Sequence, residues 1–189
     1  MKNPLTIIGI LVGVGLTVIA GAAAAQPAGL FTIVNSGSGL CLEPNGSGLG
    51  EPILQQPCDY KNRPAQLWRK SSATVTHSLI SNGTYPGCLD VRNGVNADRT
   101  VVQQWSCDRL VPSMQWRFST LVPDRFFKIF SALGSRPRCL DVAAGSLEPG
   151  AQIQIYQCTQ ANTNTAQIWE TRAIPPGAQA SADTSPTAR

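Results

Sequence analysis

Between Leu30 and Arg172 the apolar residues come in short runs rather than in helical stripes. "FTIV", "PILQQ", "HSLIS", "TVVQQWS", "FFKIF" and "QIQIYQ" are short and rich in Val, Ile, Leu, Phe and Gln. Asn-Gly, Ser-Gly, Gly-Thr and Pro-Gly steps separate them. Short runs of this kind bounded by turn residues predict strands joined by tight turns. No segment in this span sustains a helical period with caps. The expected class is all-β.

The runs recur in order. "LCLEPNGSGLGEPILQQPCDYKNRPAQLW", "GCLDVRNGVNADRTVVQQWSCDRLVPSMQW" and "RCLDVAAGSLEPGAQIQIYQCTQANTNTAQIW" share one plan: a Cys-Leu-acid step, a Gly-rich turn, an alternating run, a second Cys, a polar loop and a Trp. The first cysteines are Cys41, Cys88 and Cys139 and the tryptophans are Trp68, Trp116 and Trp169, a period of about 50 residues. Three units are too few for a propeller. A closed arrangement with three-fold pseudosymmetry buries the recurring Leu and Trp positions and leaves no open sheet edge.

The flanks are different in character. Residues 1–25 combine Lys2, an apolar run from Leu5 to Ala20 and "GAAAAQ", whose A-x-A sites end near Ala24 or Ala25; this reads as a secretory signal peptide. Counted through Ala25, the run is also long enough for an uncleaved membrane anchor, the one route by which a membrane enters as a partner. No cysteine stands at the cleavage site, which argues against a lipoprotein. From Ala173 to Arg189 the chain is rich in Pro, Ala, Ser and Thr, as in a disordered tail. With 189 residues and 42% hydrophobic residues, the rest makes one domain.

Composition narrows the function. All 6 cysteines lie downstream of the signal, so an extracellular, secreted chain is expected to pair them as disulfides. Lys and Arg total 15 against 11 Asp and Glu, for a net charge of +4, but they are scattered, which does not support nucleic acid as a partner. His77 is the sole histidine and reads as a solvated turn residue. There is no zinc-ligand spacing, no G-x-S-x-G and no phosphate loop, so no metal, no cofactor and no histidine-dependent hydrolysis is expected. Chemistry by a carboxylate pair alone stays open at this level.

Three Cys-Leu-acid steps, each closed by a Q-x-W motif, resemble the ricin-type β-trefoil lectin family from Leu30 to Arg172. "AQLW" and "AQIW" keep the motif, and "MQW" has Met114 in place of its Gln. The resemblance implies a β-trefoil with three pseudo-equivalent repeats of four strands each, about residues 30–70, 76–120 and 125–172 of a lectin domain at 30–172. It also places Trp68, Trp116 and Trp169 in the core. Six cysteines allow 15 pairings; the repeat selects Cys41 with Cys58, Cys88 with Cys107 and Cys139 with Cys158. Each loop of just under 20 residues is worth roughly 3 kcal/mol on the chain-entropy model.

In that family the acid after the first Cys takes two sugar hydroxyls. The Gln four before the second Cys helps to position them, the aromatic two before it stacks on the sugar ring, and an Asn before the Q-x-W Gln adds a contact. A rigid ring beside a carboxylate and an amide suits a sugar's apolar face and fixed hydroxyls. The third repeat keeps Asp141, Gln154, Tyr156 and Gln167, with Ala166 for the Asn. The second keeps Asp90, Gln103 and Trp105, with Ser113 and Met114 for the Asn-Gln pair, and is expected to be weakened. The first, with Glu43, Leu54, Gln56 and Ala65, is expected to be silent. A plainer reading stands beside this one: Asp90 and Asp141 as turn residues accepting backbone N–H bonds, and Trp105 and Tyr156 as ordinary strand aromatics.

The resulting expectation is a secreted, non-catalytic carbohydrate-binding protein for galactoside- or xylan-like glycans or polysaccharides. The alternative is a receptor-binding or delivery subunit that docks a separate enzymatic or toxin chain.

Overall fold

The computed structural model describes residues 29–121, 125–160 and 162–175. The proposed signal segment, and the tail from residue 176, lie outside the described residues. The described residues form twelve strands, four per repeat. The first repeat gives β1 (Phe31–Asn35), β2 (Cys41–Pro44), β3 (Ile53–Gln56) and β4 (Trp68–Ser72); the second gives β5 (Ser78–Asn82), β6 (Cys88–Val91), β7 (Thr100–Trp105) and β8 (Trp116–Thr120); the third gives β9 (Phe126–Ser131), β10 (Arg138–Val142), β11 (Ile153–Gln157) and β12 (Trp169–Ala173). A 3-10 turn precedes the last strand of each repeat, at Pro64–Gln66, Pro112–Met114 and Thr165–Gln167.

Strands β1, β4, β5, β8, β9 and β12 pair in a closed antiparallel ring. The inner strands form three hairpins, β2–β3, β6–β7 and β10–β11, linked by β7–β11 pairing and by bridges Pro52–Gln103 and Leu54–Gln152. Ring and hairpins satisfy one another's edges, which is how an all-β chain escapes edge-to-edge association. The fold is a β-trefoil.

The repeat is visible in the core. Leu42, Leu89 and Leu140, from the three Cys-Leu-acid steps, are fully buried, as are Trp68, Trp116 and Trp169. Each Trp Nε1–H donates to the carbonyl of its own repeat's Leu, at 3.2, 3.0 and 3.0 Å. The indole thus fills the core and satisfies its one polar atom there. The disulfides are Cys41–Cys58, Cys88–Cys107 and Cys139–Cys158, with sequence separations of 17, 19 and 19.

Strand β12 runs one residue past Arg172, where the last repeat was expected to end. Ile174 is buried with Leu30 and Leu67 and its N–H bonds to the Leu30 carbonyl at 2.9 Å. An apolar side chain at the barrel mouth has somewhere to go, which composition alone does not disclose.

Contacts between repeats hold the turns. Asn35 ends β1 and donates to the Thr165 carbonyl at 2.9 Å, and Asn82 ends β5 and donates to the Ala65 carbonyl at 2.7 Å. Each thereby fixes another repeat's 3-10 turn. Gln55, fully buried, donates to the carbonyls of Ser146 and Glu148 in the third repeat, and Gln104 to that of Gly48 in the first. His77 lies in the β4–β5 turn with Nδ1 beside the Thr76 hydroxyl at 3.0 Å.

Candidate functional site

Two of the three inner hairpins bring the acid and the Gln of their repeat face to face. In β10–β11 the register sets Asp141 opposite Gln154 and Cys139 opposite Tyr156; in β6–β7 it sets Asp90 opposite Gln103 and Cys88 opposite Trp105; in β2–β3, Glu43 faces Leu54 and Cys41 faces Gln56. Side chains two apart on a strand share a face. The disulfide, the acid, the Gln and the ring are therefore presented together, and the crosslink pins the end of the hairpin that carries the ring.

In the third repeat, the buried Asp141 carboxylate accepts from Gln154 Nε2 at 2.8 Å through one oxygen and from Gln167 Nε2 at 3.1 Å through the other. Gln167 is fully buried and also donates to the Gln157 carbonyl at 3.0 Å, while its Oε1 accepts from the Thr159 N–H at 3.0 Å. Gln167, expected among the carbohydrate-binding residues, has both ends of its amide engaged and holds Asp141 in place. Burial pushes the Asp141 carboxyl up, against the opposing hydrogen bonds from Gln154 and Gln167, and the charge of Asp98 adds to the rise.

In the second repeat, Asp90 accepts from Gln103 Nε2 at 2.8 Å and from the Ser113 hydroxyl at 2.6 Å. Met114 Sδ receives the Asp108 N–H at 3.3 Å, the place taken by Gln Oε1 in the other repeats. No side-chain amide stands at either position here. Ser113 and Met114 divide the work of one Gln, the hydroxyl supporting the acid and the sulfur the backbone. Beside them lies a recess of about 730 Å³ lined by Asp90, Arg92, Gln103, Trp105, Asp108 and Ser113, among others. Trp105 is 44% exposed, against 0% for the three core tryptophans.

Neither aspartate accepts a backbone N–H among the described residues; side chains hold both carboxylates. The turn-cap reading does not describe them. The turns beside them are nonetheless tight, with Asn93–Gly94 and Ala144–Gly145 all at φ near 60°. Ala144 is an uncommon residue for that region.

The first repeat is built differently. Arg63 grips Glu43 through two bonds, Nε to Oε2 at 2.8 Å and Nη2 to Oε1 at 3.0 Å, and Gln66 Nε2 adds a third at 2.8 Å. That bidentate pair raises the Arg63 pKa and uses both carboxylate oxygens. The recess here is about 240 Å³ and includes Leu54, Gln56 and Arg63. It does hold a ring, Tyr85 from the β5–β6 turn, which repeat alignment misses because the residue belongs to the next repeat. Arg63, Arg92 and Tyr85 escaped the sequence reading, and Ser113 entered it only as a replacement for the family's Asn; Arg63, Tyr85 and Ser113 act from loops outside the Cys-to-Cys frame and Arg92 from the turn within it.

The rise at Asp141 fixes a pH dependence. A hydroxyl that donates to this carboxylate requires it ionised, so any ligand held through such a bond is expected to be released as pH falls through a value above the ordinary aspartate pKa of about 3.9. Titrating ligand against the protein between about pH 7 and pH 4 checks this; affinity that stays flat throughout rules it out. For the fold the sign is opposite. The native state binds the proton more readily than the unfolded chain, so this group's contribution to stability is complete below the unfolded pKa and is lost as pH rises through the folded one.

Comparison with known proteins agrees with this architecture. The family described as ricin-type beta-trefoil lectin domain-like matches residues 18–105. No curated protein matches the chain. Among solved structures, the designed three-fold symmetric protein ThreeFoil is similar at TM-score 0.68 and 22% identity, over 77% of this chain and 99% of that one. An exo-β-1,3-galactanase from Clostridium thermocellum is similar at TM-score 0.69 and 22% identity, over 77% of this chain but 30% of the galactanase. The Macrolepiota procera ricin B-like lectin, solved with lactose, is similar at TM-score 0.63 and 17% identity, over 80% of this chain and 100% of that one. The family match over residues 18–105, three Cys-framed repeats and twelve strands among the described residues together make the chain a β-trefoil that resembles the ricin-type lectin domains.

Proposed function

We propose that this chain is a secreted, non-catalytic carbohydrate-binding protein with two sugar sites, in the second and third repeats, and a first repeat that has lost the property. The observation that carries the reading is the state of the three acids. Asp90 and Asp141 are buried and oriented by uncharged donors, with no cation paired to either among the described residues, so each has lone pairs left for hydroxyls. Glu43 is consumed by Arg63. A lectin site needs the first arrangement and is abolished by the second.

Galactosides are the first candidates. The galactanase and the lactose-bound lectin share this fold, and an axial hydroxyl beside an apolar ring face suits a carboxylate next to Trp105 or Tyr156. Xylan-like polymers present a comparable ring face. Two sites of millimolar strength, near 4 kcal/mol each, hold a polymer by avidity where one alone does not. Three disulfides suit life outside the cell.

A glycan and polysaccharide array probed with residues 26–189, oxidised, is the test. The protein binds a restricted class of glycans, and Trp105→Ala combined with Tyr156→Ala loses most of that signal while its melting temperature changes little. An array with no signal, or one that the double variant reproduces, overturns the reading and directs the search to a protein partner.

A further inference from the structure

The second-repeat recess contains a group that a neutral sugar does not need. Arg92 lies two residues after Asp90 and lines the recess with Trp105 and Gln103. The corresponding residues are Asn45 in the first repeat and Ala143 in the third, so this guanidinium belongs to one site only. Its Nε donates to Gln103 Oε1 at 2.8 Å and its Nη2 to the Gly50 carbonyl at 2.9 Å, which fixes the plane of the group against two different repeats. Nη1 has no hydrogen bond among the described residues.

The guanidinium also makes no salt bridge among the described residues, whereas Arg63, Arg125, Arg138 and Arg172 each pair with a carboxylate. The contrast with the first repeat is instructive. There the guanidinium closes onto the acid, whereas here Gln103 and Ser113 already hold Asp90, and Arg92 is tied to uncharged acceptors. A part-buried, rigidly held cation beside a sugar-reading acid and a ring is a binding group with its ligand still to come.

Resting on the carbohydrate reading above, we infer that the second-repeat recess selects an anionic sugar residue, with hydroxyls on Asp90, ring face on Trp105 and its carboxylate or sulfate on Arg92. Asp90 and Asp108 are the other charged residues of the recess. Both repel an anion, so the sugar's charge is accepted on the Arg92 side alone and the ligand enters in one orientation. The third repeat, with Ala143 in this place, has no such preference, so the two sites read different residues of one polymer.

The test is an NMR titration of the oxidised chain, following the Trp105 indole signal, with methyl β-galactoside, methyl β-galacturonoside and galactose 6-sulfate as probes. At low salt an anionic probe binds about fivefold more tightly than the neutral one, the scale of one partly exposed charge pair. That ratio shrinks toward one in about 0.5 M NaCl. Which anion gains, or whether both do, identifies carboxylate or sulfate as the group recognised. Arg92→Gln brings the ratio to about one, and Arg92→Lys retains part of it. If Arg92 merely positions Gln103, Arg92→Gln weakens all three probes by one factor and leaves the ratio intact, which overturns the inference. Neutral binding with no anionic preference overturns it alone. No Trp105 response to any probe overturns it together with the sugar reading of this repeat.

Discussion

Asp90→Ala combined with Asp141→Ala is expected to abolish glycan binding, with at least about a 100-fold loss at each site. Each carboxylate is read as accepting two sugar hydroxyls, and a hydrogen bond to a charged acceptor is worth roughly 1.5–3 kcal/mol, so two of them account for the factor. Truncation also strands the Nε2 donors of Gln103 and Gln154, which costs the fold about 1–3 kcal/mol at each site. The binding titration is therefore run beside a melting curve. A variant that melts cooperatively and fails to bind is the expected result; one that binds like the parent returns both aspartates to a structural role.

The largest stability effect is expected at a tryptophan that no ligand touches. Trp116→Ala deletes a fully buried indole and leaves the Leu89 carbonyl without its 3.0 Å partner, a loss of about 3–5 kcal/mol. For a domain of this size that lowers the melting temperature by about 10 °C or more. Trp105→Ala, at a ring that is 44% exposed, changes it by a few degrees at most. Scanning calorimetry of the oxidised proteins separates the two. Equal shifts for both variants contradict the division between core and site tryptophans.

That division was legible in the sequence, because position within the repeat carries it. Trp116 closes a Q-x-W-like turn, while Trp105 stands two residues before a cysteine, opposite its partner Cys88. The disulfide pairs and the cross-strand pairing of Asp141 with Gln154 were legible on the same ground. What the repeat hid is whatever lies outside its frame. The role of Ser113 depends on a 3-10 turn that brings its hydroxyl within 2.6 Å of Asp90. Arg63 reaches Glu43 across a separation of 20 residues that includes strand β3, and nothing in the spacing distinguishes it from any surface arginine. Asn35 and Asn82 look like turn residues in sequence, yet their amides serve backbone that is 130 and 17 residues away.

Those amides bear on how such a chain can change over time. Asn35 and Gln55 secure the third repeat, Asn82 and Gln104 secure the first, and β1 lies along β12. No repeat is complete by itself, so the copy number is locked at three, and units cannot be added or dropped one at a time. Diversity has to come from single substitutions inside a fixed scaffold. On the proposed reading, Arg63 against Glu43 retires one position while its neighbours keep their scaffold, and valence becomes a matter of which side chain an acid happens to meet.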